Sequence, residues 1–226
     1  MGYQLDFGAL SGYLGLFLQG LWVTLGLTAI SATLGIALSI GGAATARSGS
    51  KWARALVLAY VELIRNTPFI VQMFFIFFGL PSLGLRLSSE AASIIAMTLN
   101  LGAYAAEIVR AGIEATPRGQ LEAARSLAMT ERQVFLKVVL PPALGRVWPA
   151  MVSQIVIVML GSAVCGQIAA QELSYYTNLI TSRNFRSFEA NLVAAGLYLA
   201  MAVLLRQLLA WIGPRWLFGR AAPARS

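Results

Sequence analysis

GQLEAARSLAMTERQVFLKVVLPP, Gly119 to Pro142, is a charged, amphipathic stretch in the middle of a chain that otherwise reads as lipid-soluble. Of the 226 residues, 58% are hydrophobic and 12% are charged. That balance, with a mean hydropathy of +0.72, belongs to a polytopic membrane protein rather than a soluble domain. The net charge of +8 does not point to nucleic acid, because the basic residues sit between apolar runs instead of clustering with aromatics on one face. A single cysteine, Cys165, rules out an internal disulfide, and the lack of histidine excludes histidine-based acid/base chemistry and Cys/His metal sites. No metal site and no catalytic residue is expected.

A spanning helix needs about 20 apolar residues. Five segments qualify, near Leu21–Thr45, Leu56–Leu80, Ala91–Val109, Val147–Ala170 and Leu192–Ile212. The first apolar run begins at Phe7, so residues 1–19 are read as an extracytoplasmic segment whose part Phe7–Gln19 lies along the headgroups. The first basic residue is Arg47, and the N-terminal segment is read as retained rather than as a cleaved signal. Thirteen of the seventeen Lys and Arg residues fall on one side of this five-span scheme. Arg86, Arg183 and Arg186 fall on the other, and Arg65 lies within the second span. The positive-inside rule then puts the N-terminus outside and the C-terminal tail, residues 215–226, in the cytoplasm.

In that topology the quoted stretch belongs to a cytoplasmic loop, about residues 111–146, between the third and fourth spans. Loops of this length usually have a function. Thr116-Pro117 reads as an N-cap and first-turn pair, and Thr130 with Gln133 as a capping box. Two short helices follow, about Pro117–Leu127 and Glu131–Val139, joined at Ala128-Met129 and stopped by Pro141-Pro142. On the first, Leu121, Ala124, Leu127 and Ala128 share a face of small and apolar residues that another surface can approach, while Glu122 and Arg125 lie off it.

EAARSLA followed by VVLP resembles the EAA signature of permease subunits in ATP-binding-cassette importers, in which E-A-A, three residues, Gly, nine residues and I-x-L-P follow in order. Glu122, Ala123, Ala124, Leu140 and Pro141 match, Val138 replaces Ile, Ala128 replaces Gly, and the spacing is kept throughout. YVELIRNTPFIVQMFF, Tyr60 to Phe75, and AYAAEIVRAGIEATPRGQ, Ala103 to Gln120, are similar to the version in polar amino-acid uptake systems. The likeness runs from about Gly20 to Pro214 and implies an all-α, type I importer transmembrane fold over residues 20–214. It further implies that Gln120, Glu122, Ala123, Ala124, Arg125, Leu127, Ala128, Leu140 and Pro141 couple the membrane domain to a separate ATPase. No G-x-x-x-x-G-K-[ST] phosphate loop occurs in the chain, so ATP and Mg²⁺ would be bound by that partner and the chain itself is not an enzyme. The bland alternative is an amphipathic loop lying on the bilayer. At Ala128 a left-handed turn would cost a residue with a Cβ about 1 kcal/mol, which leaves open whether the turn keeps that geometry or takes another.

Ionisable and polar residues within spans mark the remaining candidates. Glu62 and Arg65 are three apart on one helix face and can pair, and Thr67-Pro68 follows with a proline that kinks the helix or frees a carbonyl. They are read as gating residues or as an interfacial pair. Asn100, Tyr104 and Glu107 form a polar stripe in the third span, the first two facing the substrate route and Glu107 pairing with Arg110. In span four, relatives of this type carry Lys-Asp-[Ser/Thr]-Ser-Leu where this chain has Leu160-Gly161-Ser162-Ala163-Val164, so both charges are missing and only Gly161 and Ser162 remain to contact substrate. Gln72 to Phe78 reads as lipid-facing and packing residues, and Cys165 as a small packing residue.

The reading is a five-span permease of a bacterial inner membrane that passes polar amino acids or related opines. Its expected partners are a second permease, identical or homologous, two cytoplasmic ATPases, an extracytoplasmic binding protein and membrane lipid, with no nucleic acid. The rivals are a proton-coupled secondary transporter, disfavoured by the absence of a visible inverted repeat, and a membrane scaffold that recruits a cytoplasmic protein. A reporter fused at the C-terminus is expected in the cytoplasm and one at Ser82 outside. Both reporters on one side would break the five-span scheme.

Overall fold

The computed structural model describes residues 4–47, 50–213 and Arg215. The expected C-terminal tail, Arg215 apart, lies outside the described residues. Helices account for nearly all of the described chain, and no strand occurs among those residues. A 3-10 turn, Phe7–Tyr13, leads without interruption into α1, Leu14–Arg47. No separate interfacial helix ends at Gln19; its backbone hydrogen bonding is simply continued by that of the span. The N-terminal end is fastened instead by side chains, since the Asp6 amide donates to Glu189 at 3.0 Å and Arg186 lies 3.8 Å from the Asp6 carboxylate.

The second span is not one helix. Ser50 caps α2, Lys51–Arg65, by accepting a hydrogen bond from the Ala53 amide. The chain then turns by 110° before α3, Phe69–Phe74, which runs on through a π turn and a 3-10 turn to Leu83. Pro68, with extended backbone angles, makes the turn, because proline has no amide to continue the helix of α2. Beyond Gly84, Ser88 caps the long helix α4, Ser89–Glu114. The polar loop carries α5, Arg118–Ser126, and the one-turn α6, Glu131–Gln133. α7, Leu140–Gly161, ends in a 3-10 stretch to Ile168. α8, Leu173–Asn184, is an element the sequence does not predict, and it lies between α7 and α9, Ser187–Ile212. Among the described residues four helical stretches are long and apolar enough to cross a membrane, and the bent pair α2–α3, taken as one span, supplies a fifth.

α4 is the central post. It packs on α1, α2 and α7, and Ala92, Ala96, Met97, Leu101, Ala105 and Val109 along it are buried in the main apolar core. Lipid tails are as apolar as leucine, so helices here gain from close van der Waals approach rather than from leaving water. Glycines supply that approach. A Cβ at Gly20 would stand 2.6 Å from Leu173 Cα, and one at Gly112 would stand 2.9 Å from the Ala143 carbonyl oxygen and 2.8 Å from Val147 Cγ1. Arg146 locks the second contact by donating to the Gly112 carbonyl at 3.0 Å.

Gly112→Ala is therefore expected to push α4 off α7 and lower stability by about 1–3 kcal/mol. Gly119→Ala, with nothing within 4 Å of the new carbon, is expected to be neutral or mildly stabilising through helix propensity. Thermal unfolding of the two detergent-solubilised variants checks the contrast.

Candidate functional site

The polar loop folds as two helices around one sharp turn. α4 closes with the Ala115 and Thr116 amides on the Ala111 and Ile113 carbonyls, and Pro117, extended, opens α5. The capping residue is Pro117 rather than Thr116, whose buried hydroxyl has no hydrogen-bond partner. At the far end the Ala128 amide donates to the Arg125 carbonyl at 2.9 Å and the Met129 amide to the Ala124 carbonyl at 3.3 Å. This is a Schellman turn, and Ala128 sits at its left-handed position with φ of 51°. The left-handed geometry is thus kept without the glycine, at a cost of about 1 kcal/mol. Arg125 spans the turn to Glu131 at 3.2 Å.

The second loop helix starts with the expected capping box, in which Thr130 and Gln133 exchange hydrogen bonds. Pro141-Pro142 does not stop it. The backbone widens into a π turn over Val134–Val139, in which the Leu140 amide reaches back to the Phe135 carbonyl, and then continues into α7 with the prolines in its first turn. Proline lacks only an amide, and a first turn tolerates that loss. The faces also differ from expectation. Ala124 is 4% exposed and lies with Val134 and Phe135 in the main apolar core, against which Leu121 and Met129 pack, so its small side chain is turned inward. Leu127 is 77% exposed. With Ala123 and Gln120 behind it on the same face of α5, it forms the apolar tip that the loop presents outward. Glu122, Arg125 and Pro141 are exposed and Leu140 is buried.

The second constellation surrounds the break between α2 and α3. Without water in a bilayer, the last carbonyls of α2 need partners from the protein, and the sequence Asn66-Thr67-Pro68 provides them locally. Asn66 donates to the Glu62 carbonyl and to the Glu62 carboxylate, both at 2.8 Å, and the Thr67 hydroxyl donates to the Leu63 carbonyl at 2.8 Å. Gln72 completes the set, its amide nitrogen donating to the Ile64 carbonyl at 2.7 Å and to the Thr67 carbonyl and hydroxyl at 2.9 Å. The Gln72 oxygen accepts from Asn100 at 3.2 Å. Within the run Gln72 to Phe78, expected to face lipid and to pack between helices, Gln72 is buried and Phe75 and Phe78 are exposed.

The pairing expected between Glu62 and Arg65 is replaced by another. Arg65 reaches across to Glu107 at 3.4 Å and lies 5.6 Å over the Tyr104 ring, leaving Glu62 to Asn66. Glu107 also takes Arg110 at 2.8 Å, as expected, and Arg110 continues to Glu114 at 2.8 Å. This chain of charges borders a cleft of about 270 Å³ whose walls include Arg54, Val61 and Ala106. An open cleft lets ionised groups keep solvent contact at the end of a span. In α7 the expected pair separates: Gly161 is partly exposed with open space where a Cβ would stand, while Ser162 is fully buried and donates its hydroxyl to the Met159 carbonyl at 2.6 Å. A hydroxyl turned inward has no face for a passing solute.

Two carboxylates went unremarked in the sequence because nothing around them is periodic. Glu172 is fully buried, caps α8 by accepting from the Tyr175 amide at 2.7 Å, and takes the Tyr198 hydroxyl from α9. Thr24 of α1 accepts the neighbouring Leu173 amide at 3.2 Å. Burial pushes the Glu172 carboxyl above the usual carboxylate range, against the opposing pull of the Tyr198 and backbone hydrogen bonds. Glu189, also fully buried, holds Arg186 at 3.3 Å. The signal available was that each stands at the start of a helix, where a carboxylate meets unpaired amides.

Comparison with known proteins agrees with this arrangement. Over residues 35–217 the chain matches the family described as the binding-protein-dependent transport system inner membrane component. It is 34% identical to the probable glutamine ABC transporter permease protein GlnM of Bacillus subtilis (strain 168), over 83% of this chain and 87% of the relative. With the nopaline transport system permease protein NocM of Agrobacterium fabrum it shares 31% identity over 84% and 85% of the two chains. Among solved structures, a crystal structure of an amino acid ABC transporter with histidines superposes with a TM-score of 0.85 at 33% identity, covering 94% of this chain and 100% of the other. The all-helical architecture, the helix-turn-helix at the E-A-A element and these matches together establish that the chain is a multi-pass inner-membrane protein and belongs to the family of binding-protein-dependent transport system inner membrane components.

Proposed function

We propose that the chain is the permease subunit of an ATP-driven importer for polar amino acids or related compounds such as opines, and that α5 docks into a separate ATPase through Leu127, Ala123 and Gln120. The observation that carries this reading is the E-A-A element itself, folded as two helices about a Schellman turn that projects an exposed leucine from the charged end of α4. A push on that tip is passed on in two directions. α5 follows α4 after three residues, and the second loop helix runs unbroken into α7. Since α4 and α7 meet at Gly112 without a gap, they move together, as alternating access requires of a bundle driven from one end.

The importer in this reading holds this chain with a second permease, identical or homologous, two ATPases that carry ATP and Mg²⁺, and an extracytoplasmic binding protein, with the N-terminus of the chain outside. Hydrolysis belongs to the ATPases, because the chain has no phosphate-binding loop. The substrate class is supported by relatives named for glutamine and nopaline. In this reading the route runs beside the break, supported by Tyr104 and the Arg65–Glu107 pair, which combine an aromatic face with both signs of charge.

In proteoliposomes holding the complete importer and its loaded binding protein, radiolabelled amino acid is expected to accumulate only with ATP, and to do so after the proton gradient is collapsed. Uptake that follows the gradient instead, or no uptake at all, would favour a secondary transporter or a scaffold. Leu127→Asp is expected to leave the thermal midpoint of the chain unchanged and to lower ATPase co-purification about tenfold, the loss of about 1.4 kcal/mol of docking energy. Ala124→Arg is expected to fail differently, by destabilising the chain itself, because it buries an unpaired charge inside the loop. A stable Ala124→Arg chain that merely loses the ATPase would reverse the assignment of the two faces.

A further inference from the structure

We propose that Gln72 is a positioning residue for transport: its link to Asn100 fastens the outer half of the broken span to α4, so that movement of the ATPase-driven helix reaches the break. The inference rests on the permease reading above. Ile64 and Thr67 carbonyl oxygens can only accept, so the Gln72 nitrogen must face them and its oxygen must face Asn100. The two hydrogens of that nitrogen meet three acceptors, the third being the Thr67 hydroxyl, whose own proton is committed to the Leu63 carbonyl. One side chain therefore stitches the end of α2 to the start of α3 and has a single remaining group to offer outward.

That remaining group is taken by α4, next to the contact that holds the other half of the span. The Tyr60 hydroxyl of α2 donates to the Leu99 carbonyl at 2.6 Å, and Asn100, one residue further along α4, donates to Gln72 of α3 at 3.2 Å. Consecutive residues of α4 thus grip the inner and the outer half of the break. Below them Arg65 is tied to Glu107, and α4 continues into the loop that carries α5. The path from α5 to the break is continuous, and where α3 packs on α4 it includes one hydrogen bond between two side chains. Such a bond can be broken and remade during a cycle, whereas the bonds inside the break keep α2 and α3 at a set angle.

The test is a double-mutant cycle in proteoliposomes of the complete importer, reading ATP hydrolysis stimulated by loaded binding protein over basal hydrolysis. Gln72→Leu and Asn100→Leu are each expected to lower that ratio about fivefold, the factor that one net hydrogen bond supplies, and the double variant is expected to lower it no further. The exchange of lengths, Gln72→Asn with Asn100→Gln, is expected to restore at least half of the loss, with the set of competing amino acids unaltered. A merely structural role would shift the thermal midpoint and leave the ratio alone. Multiplying effects in the double variant, or an unchanged ratio for Asn100→Leu at normal ATPase co-purification, would overturn the proposal. Should Gln72→Leu fail to fold, Asn100→Leu and the exchanged pair decide, because the first keeps Gln72 itself and the second keeps a side-chain amide at position 72. An inactive wild-type importer in the same vesicles would overturn the permease reading and this inference with it, whereas an active wild type with indifferent variants would overturn the inference alone.

Discussion

A carbonyl oxygen without a partner in hydrocarbon costs several kcal/mol, and the break in the second span is organised around avoiding that cost. Proline at position 68 lacks the amide that would continue α2, and side chains around it supply donors to the carbonyls left open, Thr67 for Leu63 and Gln72 for Ile64 and Thr67, while Asn66 adds a second bond to the Glu62 carbonyl that its backbone amide already reaches. With these groups satisfied the chain turns through 110° between α2 and α3. The direction of α3, the placement of Arg65 against Glu107 and the grip of α4 on both halves of the span all follow from that turn.

The tight packing around α4 serves the same end by a different force. Where burial from water contributes nothing, helices adhere through contact area, and small residues let backbones approach. Gly102 lies against Leu38 and Tyr60, Gly35 against Leu101, and Gly112 against Ala143. α1, α4 and α7 are thereby held as one body, while α9 buries little of its surface within the chain. A body of this kind transmits displacement rather than absorbing it, as the proposed coupling through the loop at its end requires.

The loop shows how little local strain such an element needs. A single alanine in left-handed geometry turns the chain so that Leu127 points outward while Ala124 closes the interior. The strain of about 1 kcal/mol is offset by the two hydrogen bonds of the Schellman turn, by the capping box at Thr130 and by the Met129 contact beneath it.

What the sequence by itself determined was local or periodic: the apolar runs that span, the capping box at Thr130–Gln133, the pairing of Glu107 with Arg110 three residues on, the presence of a defect at Pro68, and the spacing of the E-A-A element. Each depends on residues within a few positions of one another, where backbone geometry alone dictates who meets whom. Tertiary structure decided the rest. Arg65 chose Glu107 over Glu62, Ala124 turned inward, Ser162 was buried, and the helix passed through Pro141-Pro142, since neighbours on other helices set the surroundings of each. Gln72 looked like one more residue of an apolar run until Asn100, 28 positions away, came to face it, and α8 is held in part by Thr24, 149 positions before Leu173, which offers an oxygen to its first amide. Contacts of that separation leave no periodic trace in a chain, because the partner's position is fixed by packing that the pattern of either segment does not encode.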